Sequence, residues 1–321
     1  MATYNGANHL AEQLESIVVQ TLLPDELVVT DDNSSDGTCA ILEEFARTAP
    51  FPVRIYRNPA NIGYARNFER TAQLCEGELV FFCDQDDVWY PEKVAVMAVE
   101  FERDPELMVL VSDADLVRGD LSKTGRTQLQ SFRRAGVPLS DFDIGCFSAH
   151  RKVWQAVALP MPEGFDHAHD QWINRFAMEC GAARILDRRL LAYRRHPGNT
   201  MQWMVARAEG VSALNMLRAH GLKAGRWGWE RKGALFRSME ERLRHCIEQG
   251  CDIPMSILER GIVRLRFRQK IMARRVDTNQ LNRRKRWPRV LFNFVMGDYL
   301  HFTGWKSAVK DLIRPGAGGR S

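Results

Sequence analysis

The run Leu79-Val80-Phe81-Phe82-Cys83-Asp84-Gln85-Asp86-Asp87 places three carboxylates within four positions, directly after five largely apolar residues. The apolar stretch reads as a buried strand, with the acids at its carboxyl end. Carboxylates packed this closely repel, and at least one pKa rises unless a positive charge sits among them. A hard divalent cation is the natural counter-charge, because it takes oxygen ligands and bridges to phosphates. The carboxyl ends of strands are also where open α/β sheets bind ligands. The run therefore reads either as a metal–phosphate site or as a solvated acidic turn, since aspartate is common in turns.

The elements that must position these acids alternate along the chain. The pattern predicts a strand over 26–30, a turn rich in Asp, Asn, Ser and Gly over 31–38, and a helix over 38–47 with Ile41, Leu42 and Phe45 on one face. A strand over 53–56, a turn over 58–63 and a helix over 64–75 lead into the acidic strand. A helix opening at Pro91 and running to 103 comes next, then a strand over 108–112. This alternation predicts a mostly parallel sheet with helices on both faces. The polar stretch 118–134 reads as a mobile loop, 144–148 as a strand and 170–180 as an amphipathic helix. Residues 2–5 look like the carboxyl end of a strand with almost nothing before it. The first strand is therefore expected to be truncated, or Met1 to be a mis-assigned start.

A chain of 321 residues, 45% hydrophobic and 26% charged, is ordinary for one to two globular domains. It has no apolar run approaching the roughly 18–20 residues that span a bilayer, and Met1-Ala2-Thr3-Tyr4-Asn5-Gly6 is turn-like rather than a secretory signal. Seven cysteines (39, 75, 83, 146, 180, 246 and 251) are scattered without CxxC spacing, and read as reduced thiols rather than a disulfide frame or zinc site. The net charge of +5 hides an asymmetry. Residues 1–200 carry 20 basic and 30 acidic side chains, whereas residues 201–321 carry 25 and 10. This division predicts two parts, 1–200 and 201–321.

Six segments occur in consistent order over about residues 1–200: Ala2-Thr3-Tyr4-Asn5-Gly6; Gln20-Thr21 with Pro24; Val29-Thr30-Asp31-Asp32-Asn33-Ser34-Ser35-Asp36-Gly37-Thr38; Asn61-Ile62-Gly63-Tyr64-Ala65-Arg66-Asn67; Asp84-Gln85-Asp86-Asp87-Val88-Trp89; and His169-Asp170-Gln171-Trp172 with Tyr193-Arg194-Arg195-His196. Together they resemble the inverting, family 2 type of GT-A glycosyltransferases, especially the bacterial rhamnosyltransferase-like branch. The resemblance implies a Rossmann-like mixed α/β sheet over 1–200; beyond about Met201 the strand signals fade, and the residues read as a mostly helical basic region. It also implies transfer of one sugar, with inversion, to an acceptor hydroxyl in bacterial surface polysaccharide assembly.

The roles that follow are those the resemblance implies. Asp32 faces the base and accepts the ring N–H of uracil or thymine; Tyr4 stacks on the base, and Thr3 and Asn5 add polar contacts. Arg66 reaches phosphate or base edge. Asp84 contacts ribose or metal-bound water, Asp86 holds Mg2+ or Mn2+, and Asp87 is a neighbour of unassigned role. Asp170, at a helix start whose dipole favours its ionised form, is the catalytic base; an N-cap role is compatible. A rival reading makes His167-Ala168-His169-Asp170 a metal cluster. Trp172 packs in the core or walls the acceptor site, and Gly145 and Cys146 lie near the donor sugar, with Cys146 a small buried residue. Arg194, Arg195 and His196 touch the diphosphate or metal. The donor expected from the branch is dTDP-rhamnose, with UDP-sugars open because both bases offer the same N–H. The acceptor is a glycan or lipid-linked glycan. A nucleotidyltransferase and a degenerate sugar- or membrane-binding module are the alternatives.

For residues 201–321 three readings stand in order. The first is docking on an anionic membrane surface through Lys and Arg with Trp287, Phe292, Phe294, Tyr299, Phe302 and Trp305 at the interface. The second is a dimerisation or acceptor-binding module, and the third nucleic-acid binding, for which no known motif appears. The expected location is the cytoplasm, peripheral to the inner face of the cytoplasmic membrane.

Overall fold

The computed structural model describes residues 1–135, 138–163, 169–196, 225–301 and 304–313. The chain opens with β1 (Ala2–Thr3), α1 (Leu10–Val18), β2 (Leu27–Asp31), α2 (Thr38–Thr48), β3 (Val53–Arg57), α3 (Tyr64–Leu74), β4 (Leu79–Phe81), β5 (Val88–Trp89) and α4 (Lys93–Arg103). Strands β1, β2 and β3 form a parallel sheet in that order, with Ala2 opposite Thr30 and Leu27 opposite Val53. β2 is buried along its whole length, and α3 turns Ala65, Phe68 and Ala72 inward at helical spacing. The strands run in the same direction, so their carboxyl ends open on one edge, where β4 also delivers the acidic run.

A second, six-stranded sheet is mixed and takes in β4 and β5. Its other strands are β6 (Val109–Arg118), β7 (Lys123–Thr127), β8 (Ser148–Arg151) and β9 (Ala183–Arg195), with helices α5 (Gln128–Ala135), α6 (Gln155–Ala158) and α7 (His169–Cys180) between them. The strand order is β4-β8-β6-β9-β5, with β7 on β6. Only β6 and β9 pair in parallel; the other pairings are antiparallel. The mostly parallel sheet expected from the alternation is therefore confined to β1–β3 and the β6–β9 pair. Antiparallel pairing needs only a short turn. At 119–122, with Leu121 in the left-handed region (φ 63°), β7 folds straight back on β6. The expected loop over 118–134 is thus β7 and α5; four of the five β7 positions are exposed, so the segment carries no strand alternation. The strand expected at 144–148 starts late, after a 3-10 turn at Gly145–Phe147.

β1 is two residues long. The Met1 amine donates to Val28 O at 2.7 Å, and a cavity of about 300 Å³ lies beside it, lined by Leu27 and Val28 of β2 and by Leu79 and Phe81 of β4.

Beyond the sheets come α8 (Gly225–Gln249), α9 (Met255–Gln280), α10 (Arg283–Val295) and α11 (Trp305–Ile313). One apolar core runs continuously from Met1 to Met272, and includes Trp172 and Phe176 of α7, Leu243 of α8 and Leu265 of α9. The Arg268 guanidinium of α9 grips Glu179 of α7 with two hydrogen bonds of 2.8 and 2.7 Å, both partners buried. Gly261 lets α9 approach closely, since a Cβ there would come 2.8 Å from Cys180 Sγ. The carboxy-terminal helices thereby brace α7, the helix whose second residue is Asp170. No described helix is long and apolar enough to cross a membrane. Cys246 and Cys251 pair as a disulfide with Cα atoms 5.3 Å apart, which corrects the expectation of seven separate thiols; the other five are free. Their five-residue spacing spans the turn after α8, so helix geometry brings them together.

Candidate active site

The carboxyl ends of β1, β2 and β4 and the start of α7 enclose a cleft of about 680 Å³. Asn5 and Asn33, which follow β1 and β2, both take left-handed backbone (φ 47° and 66°), a conformation asparagine tolerates better than most residues. Each turn is tied down. Asn5 N donates to Ser34 Oγ, and Asn5 Oδ1 accepts from Ser35 N, both at 2.9 Å. Gln85 clamps the other side, its amide bonding both Tyr4 N (2.9 Å) and Tyr4 O (3.0 Å), so the acidic turn and the β1 turn move as one. Thr3 is buried with its Oγ1 unpartnered, while Tyr4 is about half exposed over the cleft. Asp32 is buried at the cleft wall. Its Oδ1 accepts from Asn58 Nδ2 (2.7 Å) and Ile62 N (2.8 Å), and its Oδ2 from Gly63 N (2.9 Å). It therefore fixes the 58–63 turn and presents an acceptor to the cleft.

Asp84, Asp87 and the Cys146 thiol place ligand atoms within 4.8 Å of one another. Burial, then the charge of Asp86, pushes Asp84 up to about 7. Burial, then Asp86 and Asp84, pushes Asp87 well above the ordinary carboxylate range. Asp87 Oδ1 accepts from Arg194 N (3.1 Å), while its buried Oδ2 has no hydrogen-bond partner. On the open side Asp86 Oδ2 meets His196 Nε2 at 2.8 Å. Carboxylates and an imidazole such as those of Asp84, Asp86 and His196 are ligand types that a divalent cation takes, and the crowded acids with an orphaned oxygen at Asp87 are the electrostatic strain that such an ion relieves. No lysine or arginine among the described residues lines the cleft. The Cys146 thiol is held protonated by burial and then by the neighbouring Asp84 and Asp87, which removes it as a nucleophile.

Asp170 is the second residue of α7 and lines the same cleft. Gly145 N donates to its Oδ2 (3.1 Å) and Gln171 N to its Oδ1 (2.8 Å). These donors and the helix dipole favour the carboxylate; burial, then Asp143, opposes them, and the pKa is pushed up to about 7. His169 is sandwiched by aromatic rings, stacked on Phe68 at 4.0 Å and edge-on to Phe82 at 4.8 Å. Burial, then His150, drives it down to about 3, so it is a neutral packing ring. Gly145 is required by this contact: a Cβ there would come 2.5 Å from His169 Nε2.

Five expected site residues lie off the cleft surface, among them Arg194, which is buried with its guanidinium on Asp86 O, Gly119 O and Glu12. Arg66 turns away from it, bonding Glu69 (2.7 Å), Met161 O (3.1 Å) and Pro162 O (3.0 Å), because a residue two places into α3 faces the 161–162 segment. Trp172 is fully buried, with its ring under Arg242 and its N–H on Ala158 O. Arg195, two residues beyond the cleft-lining Tyr193 on β9, lies over the Tyr193 ring at 5.0 Å and stops short of the cleft surface. Asp87 sits behind Asp84 rather than beside Asp86. In the rival metal cluster, His167 lies outside the described residues and His169 is the sandwiched ring above. Thr3, Tyr4, Asn5, Asp32, Asp84, Asp86, Gly145, Cys146, His169, Asp170 and His196 all line the cleft.

Two contributors were not anticipated. Gln85, the middle residue of the acidic triplet, acts through its side-chain clamp, and only its position between two acids could have marked it. Lys93 is fully buried, donates to Cys146 O at 3.0 Å and stacks on Trp89 at 4.8 Å. Burial lowers it to about 8 against the pull of nearby groups that include Asp87 and Asp84. Its position one turn past the acidic run, in an otherwise apolar helix start, was the available signal.

Residues 1–152 match the signature of glycosyl transferase family 2. The dTDP-rhamnosyl transferase RfbG of Shigella flexneri is 38% identical over 98 residues, 29% of this chain and 34% of that protein. The abequosyltransferase RfbV of Salmonella typhimurium is 29% identical over 125 residues, 38% of this chain and 35% of that protein. The chain thus matches only about a third of the length of these relatives. Among solved structures, S. aureus TarS 1-349 in complex with UDP superposes with a TM-score of 0.54 at 18% identity, over 84% of this chain and 88% of that one. The fold is GT-A, followed by a helical carboxy-terminal region.

Proposed function

We propose that the chain is an inverting glycosyltransferase that moves one sugar from a dTDP- or UDP-linked donor to a hydroxyl of a glycan or lipid-linked acceptor. L-Rhamnose is the first donor sugar to test, and bacterial surface polysaccharide assembly on the cytoplasmic side of the membrane is the setting. The observation that carries this reading is one cleft lined at once by Asp32, by Asp84, Asp86 and His196, and by Asp170. Similarity to a dTDP-rhamnosyl transferase and to a UDP-bound structure supports a thymine or uracil base, whose ring N–H the Asp32 carboxylate can accept.

The chemistry follows from these positions. Tyr4 offers a face for the base. Asp84, Asp86 and His196 would hold Mg2+ or Mn2+, which when bound supplies positive charge to the leaving diphosphate. Asp170 accepts the proton of the acceptor hydroxyl while that oxygen bonds to the anomeric carbon and the sugar–diphosphate bond breaks on the opposite face. A nucleotidyltransferase would need a basic side chain at the α-phosphate, and none of the described cleft residues is lysine or arginine. Calorimetric titration with dTDP, UDP and GDP, each with and without Mn2+, tests the reading. Metal-dependent binding of dTDP or UDP but not GDP is expected; equal binding of GDP, or none of the three, would overturn it.

A further inference from the structure

The segment 283–313 is built inside out. The buried stripe of α10 is Arg286, Val290 and Asn293, three and four residues apart, so two of its three inward side chains are polar. Arg286 donates to Leu281 O at 2.9 Å, and Asn293 Nδ2 to Thr278 Oγ1 at 2.9 Å. Beneath them Arg275 pairs with Asp311 (2.9 Å) and Arg274 with Asp298 (2.6 Å), while the Tyr299 hydroxyl donates to Asp311 at 3.0 Å. The outward side is apolar: Trp287 is 62% exposed, Leu291 62%, Val295 77%, Leu300 81% and Trp305 64%. In water this arrangement is backwards, because apolar side chains gain by leaving solvent and buried ions lose by it. Contiguous exposed apolar surface of this kind marks a docking face.

Charge decides what covers it. The segment's only carboxylates are Asp298 and Asp311, and both are buried on arginines. Arg284 and Lys285 are exposed on α10, and Arg289 lies over the Phe292 ring. The outer face therefore carries apolar and basic groups with no acid among them. A second copy of the chain, meeting it about a twofold axis, would bring like charge to like. An anionic lipid surface supplies both the apolar layer for the rings and the negative charge for the basic groups.

We propose that the outer face of α10, the turn at 298–301 and α11 docks on an anionic bilayer, with Trp287, Leu291, Val295, Leu300 and Trp305 in the interfacial layer and Arg284 and Lys285 against lipid headgroups. Expected phenylalanine anchors at 292 and 294 share the exposed surface, Tyr299 is buried on Asp311, and Phe302 lies outside the described residues. The inference goes beyond the donor reading and shares no residue with the cleft.

Flotation of the full chain with phosphatidylcholine vesicles, with and without phosphatidylglycerol, tests it. The chain is expected to float with the anionic vesicles alone and to be released by high salt, which screens the surface charge. Arg284→Glu with Lys285→Glu is expected to weaken binding by a factor on the order of thirty, given the usual contribution of each basic residue near anionic lipid. Leu291→Glu with Val295→Glu is expected to abolish flotation. Thermal melting and dTDP binding, read on the same samples, are expected to be unchanged in both variants, which separates this inference from the donor reading. Equal binding to both vesicle types, no flotation, or a concentration-dependent dimer that Leu291→Glu dissolves would each overturn it.

Discussion

At the cleft, Asp170 on its wall and Asp87 off its surface are buried and Asp84 is partly so, all with like charges as near neighbours, and burial with those neighbours pushes Asp84 and Asp170 to about 7. In the carboxy-terminal region, Asp298 and Asp311 are fully buried, but each lies against an arginine at 2.6–2.9 Å. Both regions bury acids; only one of them leaves the charge unanswered. Acids matched inside the fold are structural, and acids left crowded hold a strain that a ligand can release. Crowded, pKa-shifted groups gather at working sites for this reason. The outward faces differ in the same sense: the cleft turns its polar groups toward a small ligand, while 283–313 turns its polar groups inward.

The largest expected effect breaks the cleft side of this contrast. Asp170→Asn keeps the shape and the hydrogen bond from Gly145 N but removes the proton acceptor. Sugar transfer is expected to fall by about 10²–10⁴-fold, the usual worth of a positioned base, with dTDP or UDP affinity retained by calorimetry. Retained transfer would remove Asp170 from the mechanism.

The next effect breaks the structural side. Arg268→Met leaves Glu179 buried without its partner at the junction of α9 and α7, and Asp311→Ala does the same to Arg275. Each is expected to cost about 3–5 kcal/mol in urea unfolding, as removal of one member of a buried ion pair does. Asp84→Asn is expected to act in the opposite direction, stabilising the metal-free protein by about 1–3 kcal/mol at pH 7–8 while weakening metal-dependent nucleotide binding. The sign follows from linkage. The Asp84 pKa is about 7 folded against 3.8 for the free group, so the folded state holds an extra proton between those values. The wild type accordingly loses stability as pH rises through that window, and the gain from Asp84→Asn vanishes below about pH 4. A variant less stable than wild type at pH 8 would show that the acid is matched after all.

The parts of the molecule legible in the sequence were those whose signal is local. The strand leading toward Asp84, which ends at Phe81, could be read from its apolar run, and the helix starting near Asp170 from its amphipathic pattern. The resemblance of six ordered segments indicated which residues converge, and Asp32, Asp86, Asp170 and His196 do line one cleft. What stayed hidden depends on direction and on partners distant in sequence. Arg66 and Arg195 sit in matching motifs, yet helix phase turns Arg66 onto the 161–162 segment and stacking on the Tyr193 ring holds Arg195 off the cleft surface. β7 was read as a loop because its exposed Lys-Thr-Gly-Arg-Thr has no alternation, its pairing to β6 being supplied by a tight turn. The buried ion pairs of α9 join residues distant in sequence, Arg275 with Asp311 at 36 apart and Arg268 with Glu179 at 89, from a stretch whose basic composition reads as solvated surface.

The smallest expected effect sharpens the contrast within the cleft itself. Asp170 must be ionised to accept a proton. With its pKa pushed up to about 7 by burial, then Asp143, kcat/KM is expected to fall tenfold for each pH unit below 7 and to level off above it. His169 cannot produce that limb, because burial, then His150, holds it near 3. The two buried neighbours titrate on opposite sides of their ordinary values because burial penalises whichever form is charged, the base of one and the acid of the other. An inflection near 4 would mean that the cleft is wetter, or its acids better matched, than the packing around Asp170 implies. An inflection that moves with Asp143→Asn would trace the remaining shift to the carboxylate behind it.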